Sequence, residues 1–431
     1  MLRLRTVFRS LPLILLVALL LRGGFAWDYQ AHRPHAALRA IPFLFESGNI
    51  AYSLASGHGF GYPLRIDTGP TAWMTPLYPL LLSVIMRIFG IYTFASWVAA
   101  VTMNICFSAI ACIPLYFTGK RIGGAGLAAA AAWLWAIFPN AILLSFQSLW
   151  DTSLSALLVT TALWATLRLA ESARARDWAV YGLLWGLILM TNAAVLSLLP
   201  FFLGWAAWRL DRKSSTAPRN TALACAVVVL CCLPWTIRNY EVFRSFIPLR
   251  STLGLQLAVG NNPDAKPIWL GEHHPINDNA ERQAYIQMGE IAYMAAKSHE
   301  AIGYIVTHPA HEARLIAGRF VMLWAGGSLH PLGDLFGKNA AWPRSVLLFN
   351  LCVAAGTLAA IVLLFRARSI YAVPLAAVAV VFPIAYYVTL ALPRYRHPID
   401  PTLMLLLAIT TKRAAFRSGG KRPSSLTSLT H

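Results

Sequence analysis

The sequence predicts an all-α membrane protein that crosses the bilayer several times. Of its 431 residues, 58% are hydrophobic and only 12% are charged, whereas soluble domains carry roughly 25% charged residues. The apolar residues form separate runs, and a helix needs about 20 such residues to cross the hydrocarbon core. Lysine and arginine collect at every second junction between the runs, as they do in polytopic membrane proteins. The net charge of +19 therefore predicts an orientation in the membrane, and we expect no nucleic-acid partner.

About ten transmembrane helices are predicted from these runs. They cover residues 11–27, 95–117, 125–139, 151–169, 180–191, 195–208, 222–236, 346–364, 373–392 and 398–410. The first run is short for a spanning helix, and a cleaved signal peptide is the alternative because Gly24-Phe25-Ala26 resembles a weak cleavage site. The run 76–90 begins with proline and contains Arg87, so we predict an interfacial helix on the outer membrane surface.

The basic residues also predict the orientation of the chain. Junctions after the second, fourth and sixth predicted helices are rich in Lys and Arg, whereas junctions 139–150 and 191–194 contain none. The positive-inside rule then puts both termini in the cytoplasm and the loop after the first helix outside.

Three regions follow from this topology. Residues 1–238 are predicted to form an N-terminal transmembrane module whose first outer loop, 28–94, is catalytic. Residues 239–343 form an extracytoplasmic region with amphipathic helices, predicted over 279–297 and 308–324. Residues 344–431 contain the last transmembrane helices and a basic cytoplasmic tail.

Cysteine and histidine indicate no metal centre. All six cysteines lie within apolar runs, without zinc-type spacing, and are typical of small core residues. His273 and His274, and His308 and His311, lie in the long outer loop without a supporting Cys or acid pattern. We predict no metal site and no certain cofactor; a divalent cation is compatible with the sequence but not indicated by it. P-loop, GxSxG and HExxH motifs are also missing from the sequence.

Two acids are the candidate catalytic residues. Glu46 lies in the first outer loop, where a partly desolvated carboxylate is suited to act as a general base; its alternative role is at the N-terminus of a surface helix. Asp28 and Asp67 are rivals in the same loop. Asp151 begins a predicted transmembrane helix on the same side, where it either faces the bundle interior or complements the helix dipole.

A basic turn is the candidate site for an anion. Arg394, Arg396 and His397 lie between the last two predicted helices, on the outer side, where short loops normally avoid positive charge. The planar guanidinium group matches phosphate oxygens, so a phosphorylated ligand is predicted; ordinary lipid phosphate is the alternative. Arg22 and Arg238 are predicted to join this cluster.

Several segments of the sequence resemble a known family. The segments FESGNIAYSLASGHGFGYP and TGPTAWMTPLYPLLLSVIMRIFG are similar to the first outer loop of bacterial GT-C glycosyltransferases. These are the dolichyl-phosphate-mannose protein mannosyltransferase-like enzymes, family 39-like and related to the aminoarabinose transferases. Asp151, PWTIRN and RYRHPIDP follow the family's general layout in the same order.

This resemblance implies a GT-C-type bundle in the bacterial inner membrane, with outer interfacial helices and an extracytoplasmic active site. It implies transfer of a sugar from a polyprenyl-phosphate donor to a lipid, glycan or protein acceptor. Glu46 then matches the family's base and Asp151 its second acid, while Arg394 and Arg396 bind the donor phosphate. The family often has two adjacent acids in this loop, whereas Ser47 follows Glu46 here. The alternatives are a transporter or flippase of a lipid-linked anion, and a non-catalytic assembly protein that retains the fold.

Overall fold

The computed structural model describes residues 7–32, 43, 45–64, 66–212, 214–269, 271–331, 334 and 344–418. Within these ranges the chain forms helices joined by loops, without a β-strand, so the predicted all-α class is confirmed. The last thirteen residues, which include the predicted basic tail, lie outside the described ranges.

The helices are numbered here in chain order. They are α1 (Leu11–Ala31), α2 (Glu46–Ala55), α3 (Leu77–Phe89), α4 (Phe94–Ile110), α5 (Cys112–Ala136), α6 (Pro139–Leu144), α7 (Thr152–Leu169), α8 (Ala175–Thr191), α9 (Leu199–Asp211), α10 (Ala217–Phe243), α11 (Leu253–Gly260), α12 (Asn279–Met288), α13 (Glu290–Thr307), α14 (Pro309–Trp324), α15 (Arg344–Arg366), α16 (Ala372–Val380), α17 (Ile384–Val388) and α18 (Asp400–Ser418). Two 3-10 helices, Ala193–Leu198 and Pro393–Ile399, join α8 to α9 and α17 to α18.

Six helical stretches of the described chain are long and apolar enough to cross a membrane. One of them covers α4 and α5 together, 43 residues. Within α5, Gly123 and Gly124 leave the helical conformation, with φ of −150° and +77°. A Cβ on Gly119 would lie 2.9 Å from Ala128 Cα, which requires the chain to fold back at these glycines. The predicted turn between residues 117 and 125 is therefore present, while the number of about ten transmembrane helices stays a prediction.

Two predicted helices are interrupted in the structure. The run 373–392 becomes α16 and α17, separated by residues 381–383. Pro383 supplies no N–H to the helical ladder, which favours a break there. The single helix predicted over 279–297 is two helices, α12 and α13, because Gly289 between them has φ +75°.

The first loop and the long loop share one hydrophobic core. Ile50 on α2 and Trp73 from the first loop pack together with Leu255 on α11, Tyr285 on α12 and Met294 on α13. This packing joins two regions that the sequence analysis separates, and the predicted division at residues 238 and 343 stays a prediction. The shared core holds α2 rigidly against the bundle, which is what positions Glu46.

Polar contacts fix α2 as well. Ser47 Oγ donates to Leu149 O at 2.9 Å, Asn49 Nδ2 to Pro63 O at 2.9 Å, and Ser53 Oγ to Gly59 O at 2.9 Å. Arg87 Nη2 on α3 donates to Leu54 O, near the C-terminus of α2, at 2.7 Å. The helix is therefore anchored along its whole length.

Gly48 lets the backbone of Phe43 lie directly against α2, so we expect Gly48→Ala to destabilise the protein. A Cβ at this position would lie 2.0 Å from Phe43 O, and such overpacking costs on the order of 1–3 kcal/mol. Thermal unfolding in detergent measures the loss. Gly204→Ala on α9 is the matched control, because its Cβ would meet nothing within 4 Å. Equal midpoints for the two variants would contradict the packing of α2 described above.

Candidate active site

Glu46 is the first residue of α2, and its carboxylate remains available to a ligand. The side chain is 24% exposed, and His274 Nε2 lies 3.9 Å from Glu46 Oε1. Within the described residues, no group donates a hydrogen bond to this carboxylate at normal distance. The N-terminus of α2 favours negative charge at this position.

The rival acids lie in more exposed surroundings. Asp28 is exposed in the last turn of α1, where its carboxylate lies 3.5 Å from His32 Nδ1. Asp67 is exposed and accepts a hydrogen bond from Gly69 N at 3.1 Å, which forms a local turn. Both contacts are local in the sequence.

The residues on either side of Glu46 bring it to the segment that precedes Asp151. Ser47 Oγ donates to Leu149 O at 2.9 Å, and the Phe45 ring packs against Trp150 with centroids 4.8 Å apart. These contacts join the start of α2 to the start of α7. The residues that flank Glu46 therefore contact the residues that precede Asp151, although the two acids are 105 positions apart in the sequence.

Asp151 lies at the N-cap of α7 within a polar group. Its Oδ2 accepts hydrogen bonds from Ser155 Oγ at 3.0 Å and Asn192 Nδ2 at 3.2 Å. Desolvation raises the pKa of Asp151, while the Ser155 hydrogen bond and the charges of Arg250 and Arg394 act in the opposite direction. Asp151 and the positive charges of Arg250 and Arg394 therefore lie in one region of the protein.

Arg394 presents its N–H groups to this space. Its guanidinium carbon lies 3.7 Å from the centroid of the Trp150 ring and 5.3 Å from that of Tyr395. The rings cover the faces of the guanidinium, and no described group accepts a hydrogen bond from it. The edge that carries the N–H donors is therefore left for a ligand, as phosphate recognition by arginine requires.

Arg22, another predicted cation, holds the end of a helix. Arg22 is fully buried and donates to Ser108 Oγ at 2.9 Å and to Ala136 O at 2.9 Å and Trp135 O at 3.2 Å, the last carbonyls of α5. Helix C-termini leave such carbonyls unsatisfied and favour cations. Arg22 is thus engaged by protein acceptors, and its predicted place in a cluster with Arg394 stays a prediction.

Arg238 and Arg396 are also engaged by protein acceptors. Arg238 donates to Thr71 O at 2.7 Å and Phe60 O at 2.9 Å, and so ties the first loop to α10. Arg396 is buried; it pairs with Asp400 at 2.7 Å and donates to Leu323 O and Trp324 O at the end of α14.

His397 is fully buried beside Trp135, with ring centroids 5.3 Å apart, and Nδ1 lies 3.6 Å from Asp400 Oδ2. Its two ring nitrogens have no hydrogen-bond partner in the described structure. The roles predicted for Arg22, Arg238, Arg396 and His397 in substrate binding are therefore not carried into the proposal below.

Three polar residues of this region were not predicted. Arg250 acts electrostatically on Asp151 and donates from Nε to Thr252 Oγ1 at 2.7 Å. Asn192 bonds Asp151, and His274 faces Glu46. Long loops do not follow the positive-inside rule, so nothing in the sequence distinguishes Arg250 from other basic residues. The sequence pattern of His273 and His274 suggests only a possible metal site, and not a contact with Glu46.

Glu290 is a buried carboxylate with a structural role. It is 6% exposed and accepts from Ala72 N at 2.8 Å, Ser251 Oγ at 2.7 Å, Tyr285 OH at 2.8 Å and Thr71 Oγ1. Glu290 therefore joins the first loop to the long loop with all of its acceptor capacity in use, in contrast to Glu46.

We expect Glu290→Gln to destabilise the protein by roughly 2–4 kcal/mol. The substitution replaces one accepting oxygen with an NH2 group, which would then face hydrogen-bond donors. Thermal unfolding in detergent measures this loss. Glu300→Gln is the control, since the 60% exposed Glu300 only pairs with Lys297 at 3.0 Å and exposed pairs contribute little. A midpoint for Glu290→Gln equal to that of the control would contradict the structural role.

No group of three or more His, Cys, Asp or Glu side chains is close enough to hold a metal ion within the ranges that the structure describes. The predicted lack of a resident metal stays a prediction.

Comparisons with known proteins agree with this architecture. The sequence matches the family model of dolichyl-phosphate-mannose-protein mannosyltransferases over residues 73–237. A crystal structure of the Archaeoglobus fulgidus oligosaccharyltransferase, in complex with Zn and sulfate, is similar with a TM-score of 0.54 and 14% identity, over 95% of this chain and 49% of that one. The fold is that of the GT-C membrane glycosyltransferases. The predicted resemblance and fold class are confirmed.

Further GT-C structures are similar. The oligosaccharyltransferase AglB from Archaeoglobus fulgidus, in complex with an inhibitory peptide and a dolichol-phosphate, has a TM-score of 0.52 and 14% identity over 96% of this chain and 52% of that one. A weaker similarity, with a TM-score of 0.40 and 16% identity, covers 94% of this chain and 78% of ArnT from Cupriavidus metallidurans, bound to undecaprenyl phosphate. The chain spans about half the length of the oligosaccharyltransferases it matches. No curated protein matches the sequence significantly.

Proposed function

We propose that this protein is a glycosyltransferase that moves a sugar from a polyprenyl-phosphate-linked donor to an acceptor hydroxyl, with inversion at the sugar carbon. The observation that carries the proposal is a carboxylate, Glu46, that accepts no hydrogen bond within the described residues. Its helix is joined through the Phe45–Trp150 ring contact to Arg394, whose N–H groups have no described acceptor. A base and a phosphate ligand are the two groups that this reaction needs. The family match over residues 73–237 supports the same reaction class.

The chemistry follows from these groups. Glu46 takes the proton of the acceptor hydroxyl as its oxygen attacks the anomeric carbon of the sugar. The bond between that carbon and the phosphate oxygen breaks, and the polyprenyl phosphate leaves with the electron pair. Arg394 and Arg250 stabilise the charge that develops on the leaving phosphate. Asp151 orients both arginines and does not take part in the proton transfer.

The site is proposed to face the extracytoplasmic side of the bacterial inner membrane, with both termini in the cytoplasm. Basic residues support this orientation at the end of the bundle where α5 turns. There, Lys412 Nζ donates to Gly123 O at 2.6 Å, and Arg121 pairs with Glu171. Lysine and arginine at this end agree with the positive-inside rule, and Glu46 lies on the first loop, at the other end.

The donor and acceptor are proposed by chemical class. The lipid tail of the donor would lie against the apolar helices, and the acceptor is a lipid, a glycan or a protein. Membrane lipids surround the bundle, and no nucleic acid is involved.

A transfer assay tests this proposal. Membranes that contain the protein, and matched membranes without it, are incubated with a panel of undecaprenyl-phosphate-linked radiolabelled sugars. We expect label to pass from the lipid to a new product only where the protein is present. If no donor loses its sugar while the purified protein is folded, the proposal is wrong.

A transporter or flippase is the other function that the sequence left open. It would use the same arginines to bind a lipid-linked anion and would leave the glycosidic bond intact. The family match does not favour it. The transfer assay separates the two functions, because a transporter releases no sugar from its lipid.

A further inference from the structure

His274 is a buried histidine that faces the proposed base. It is 4% exposed, and its Nε2 lies 3.9 Å from Glu46 Oε1. The ring is held between Trp73 and Trp269, with centroid distances of 5.8 and 5.5 Å. The residue comes from the long loop, so this contact closes that loop onto the first one.

The hydrogen bonds of His274 define where its proton lies. Ile276 N donates to His274 Nδ1 at 3.2 Å, so Nδ1 acts as an acceptor and carries no proton. The neutral ring therefore has its proton on Nε2, which is the nitrogen that faces Glu46. The Glu46 carboxylate therefore faces the N–H donor of His274.

The backbone around His274 is held in an uncommon conformation. His273 has φ +57° and Gly271 has φ +107°; the first value is unusual for a residue with a side chain. Asn277 N and Asp278 N both donate to His274 O at 2.9 Å, and Asp278 then caps α12. Conformations of this kind persist where the surrounding structure enforces them, so the turn fixes the imidazole in place.

Few charged groups act on this ring. The titratable groups on the elements around it are Glu46 on α2, Tyr285 and Arg282 on α12, and Glu272, His273 and Asp278 on its own turn. Arg282 donates to Pro275 O and Ile276 O. His273 faces away, toward Asp264 at 3.4 Å. Burial lowers the pKa of His274 and Glu46 partly offsets this effect. The imidazole is therefore neutral near pH 7 and remains a donor to the carboxylate.

We propose that His274 is a positioning residue for Glu46: its Nε2–H binds one carboxylate oxygen and directs the other toward the acceptor hydroxyl. The proposal rests on the proposed function of Glu46 as base. The 3.9 Å separation is longer than a hydrogen bond, and catalytic hydrogen bonds of free enzymes often shorten only when substrate binds.

Substitution of His274 tests the role through the rate and the substrate affinity. We expect His274→Ala to lower kcat roughly tenfold to hundredfold, the loss of one hydrogen bond to a charged group, with donor KM changed less than about twofold. His274→Gln retains an N–H donor and should restore most of kcat.

The control is His273→Asn, which removes the neighbouring histidine and suits a positive φ. It should leave kcat and the donor KM unchanged. If His274→Ala and His274→Gln lose the same activity, or if His274→Ala raises the donor KM while kcat is kept, the positioning role is wrong.

Histidine NMR of the isotope-labelled full-length protein in detergent tests the pair without an activity assay. The His274 resonance is identified by its loss in His274→Gln. In Glu46→Gln the pKa of His274 should fall further, because the negative charge that raises it is gone. An unchanged titration would overturn the proposed pair, whereas a shifted titration in a protein without transferase activity would overturn the proposed function and with it the catalytic role of the pair.

Discussion

Glu46→Gln should abolish sugar transfer while leaving the protein folded. General-base catalysis contributes roughly 10²- to 10⁴-fold, and the amide of glutamine cannot accept the proton. The fold should tolerate the change, because no described hydrogen bond depends on this carboxylate and α2 is anchored by Ser47, Asn49 and Ser53. The measurement is kcat for sugar transfer in membranes, together with the unfolding midpoint of the purified variant.

A matched variant separates the catalytic effect from a general one. Glu241→Gln removes an exposed carboxylate near the end of α10 and should leave kcat and the midpoint unchanged. Full activity of Glu46→Gln would show that another group takes the proton, and Asp151 would be the next acid to substitute. Loss of activity together with loss of fold would show that Glu46 is structural.

Arg394→Ala is expected to weaken donor binding more than any other arginine substitution. A charge-assisted hydrogen bond to phosphate contributes about 1.5–3 kcal/mol, so the apparent KM for the lipid-linked donor should rise roughly tenfold to hundredfold. The variant loses no described hydrogen bond of the folded protein, because Arg394 contacts the rings of Trp150 and Tyr395. The donor dependence of the initial rate gives the measurement.

Two further arginine variants make this prediction specific. Arg394→Lys keeps the charge but lacks the planar fork and its stacking, so its KM should lie between those of the wild type and Arg394→Ala. Arg314→Ala, an exposed position on α14, should have the donor KM of the wild type. An unchanged KM in Arg394→Ala would exclude the phosphate contact.

The arginines show why a cation alone does not identify a ligand site. A cation on the outer side of a membrane protein suggests an anionic ligand, and the predicted roles of Arg22, Arg238 and Arg396 in substrate binding stay predictions. In the fold, Arg22 and Arg396 bind carbonyl groups that a helix leaves free at its C-terminus. Arg319 does the same at α11 and α17, where it donates to Gly260 O and to Val388 O. The sequence shows the charge but not the distant helix end that accepts it.

The sequence by itself determined the membrane class, most of the helical segments and the resemblance to GT-C glycosyltransferases; the catalytic role of the Glu46 loop stays a prediction. These properties follow from local composition and from motifs in a fixed order, which need no knowledge of distant contacts. Helix breaks at Gly289 and near Pro383 were missed because a long apolar or amphipathic run hides a single interrupting residue.

Only the tertiary structure decided which polar groups meet. It brings His274 to Glu46 across 228 positions of the chain, and Arg394 to the Trp150–Asp151 segment across 243. It also distinguishes carboxylates with free oxygens from those, such as Glu290, whose oxygens all accept hydrogen bonds. The physical reason is that hydrogen bonding and desolvation depend on neighbours in space, and those neighbours are supplied by the packing of helices that lie far apart in the sequence.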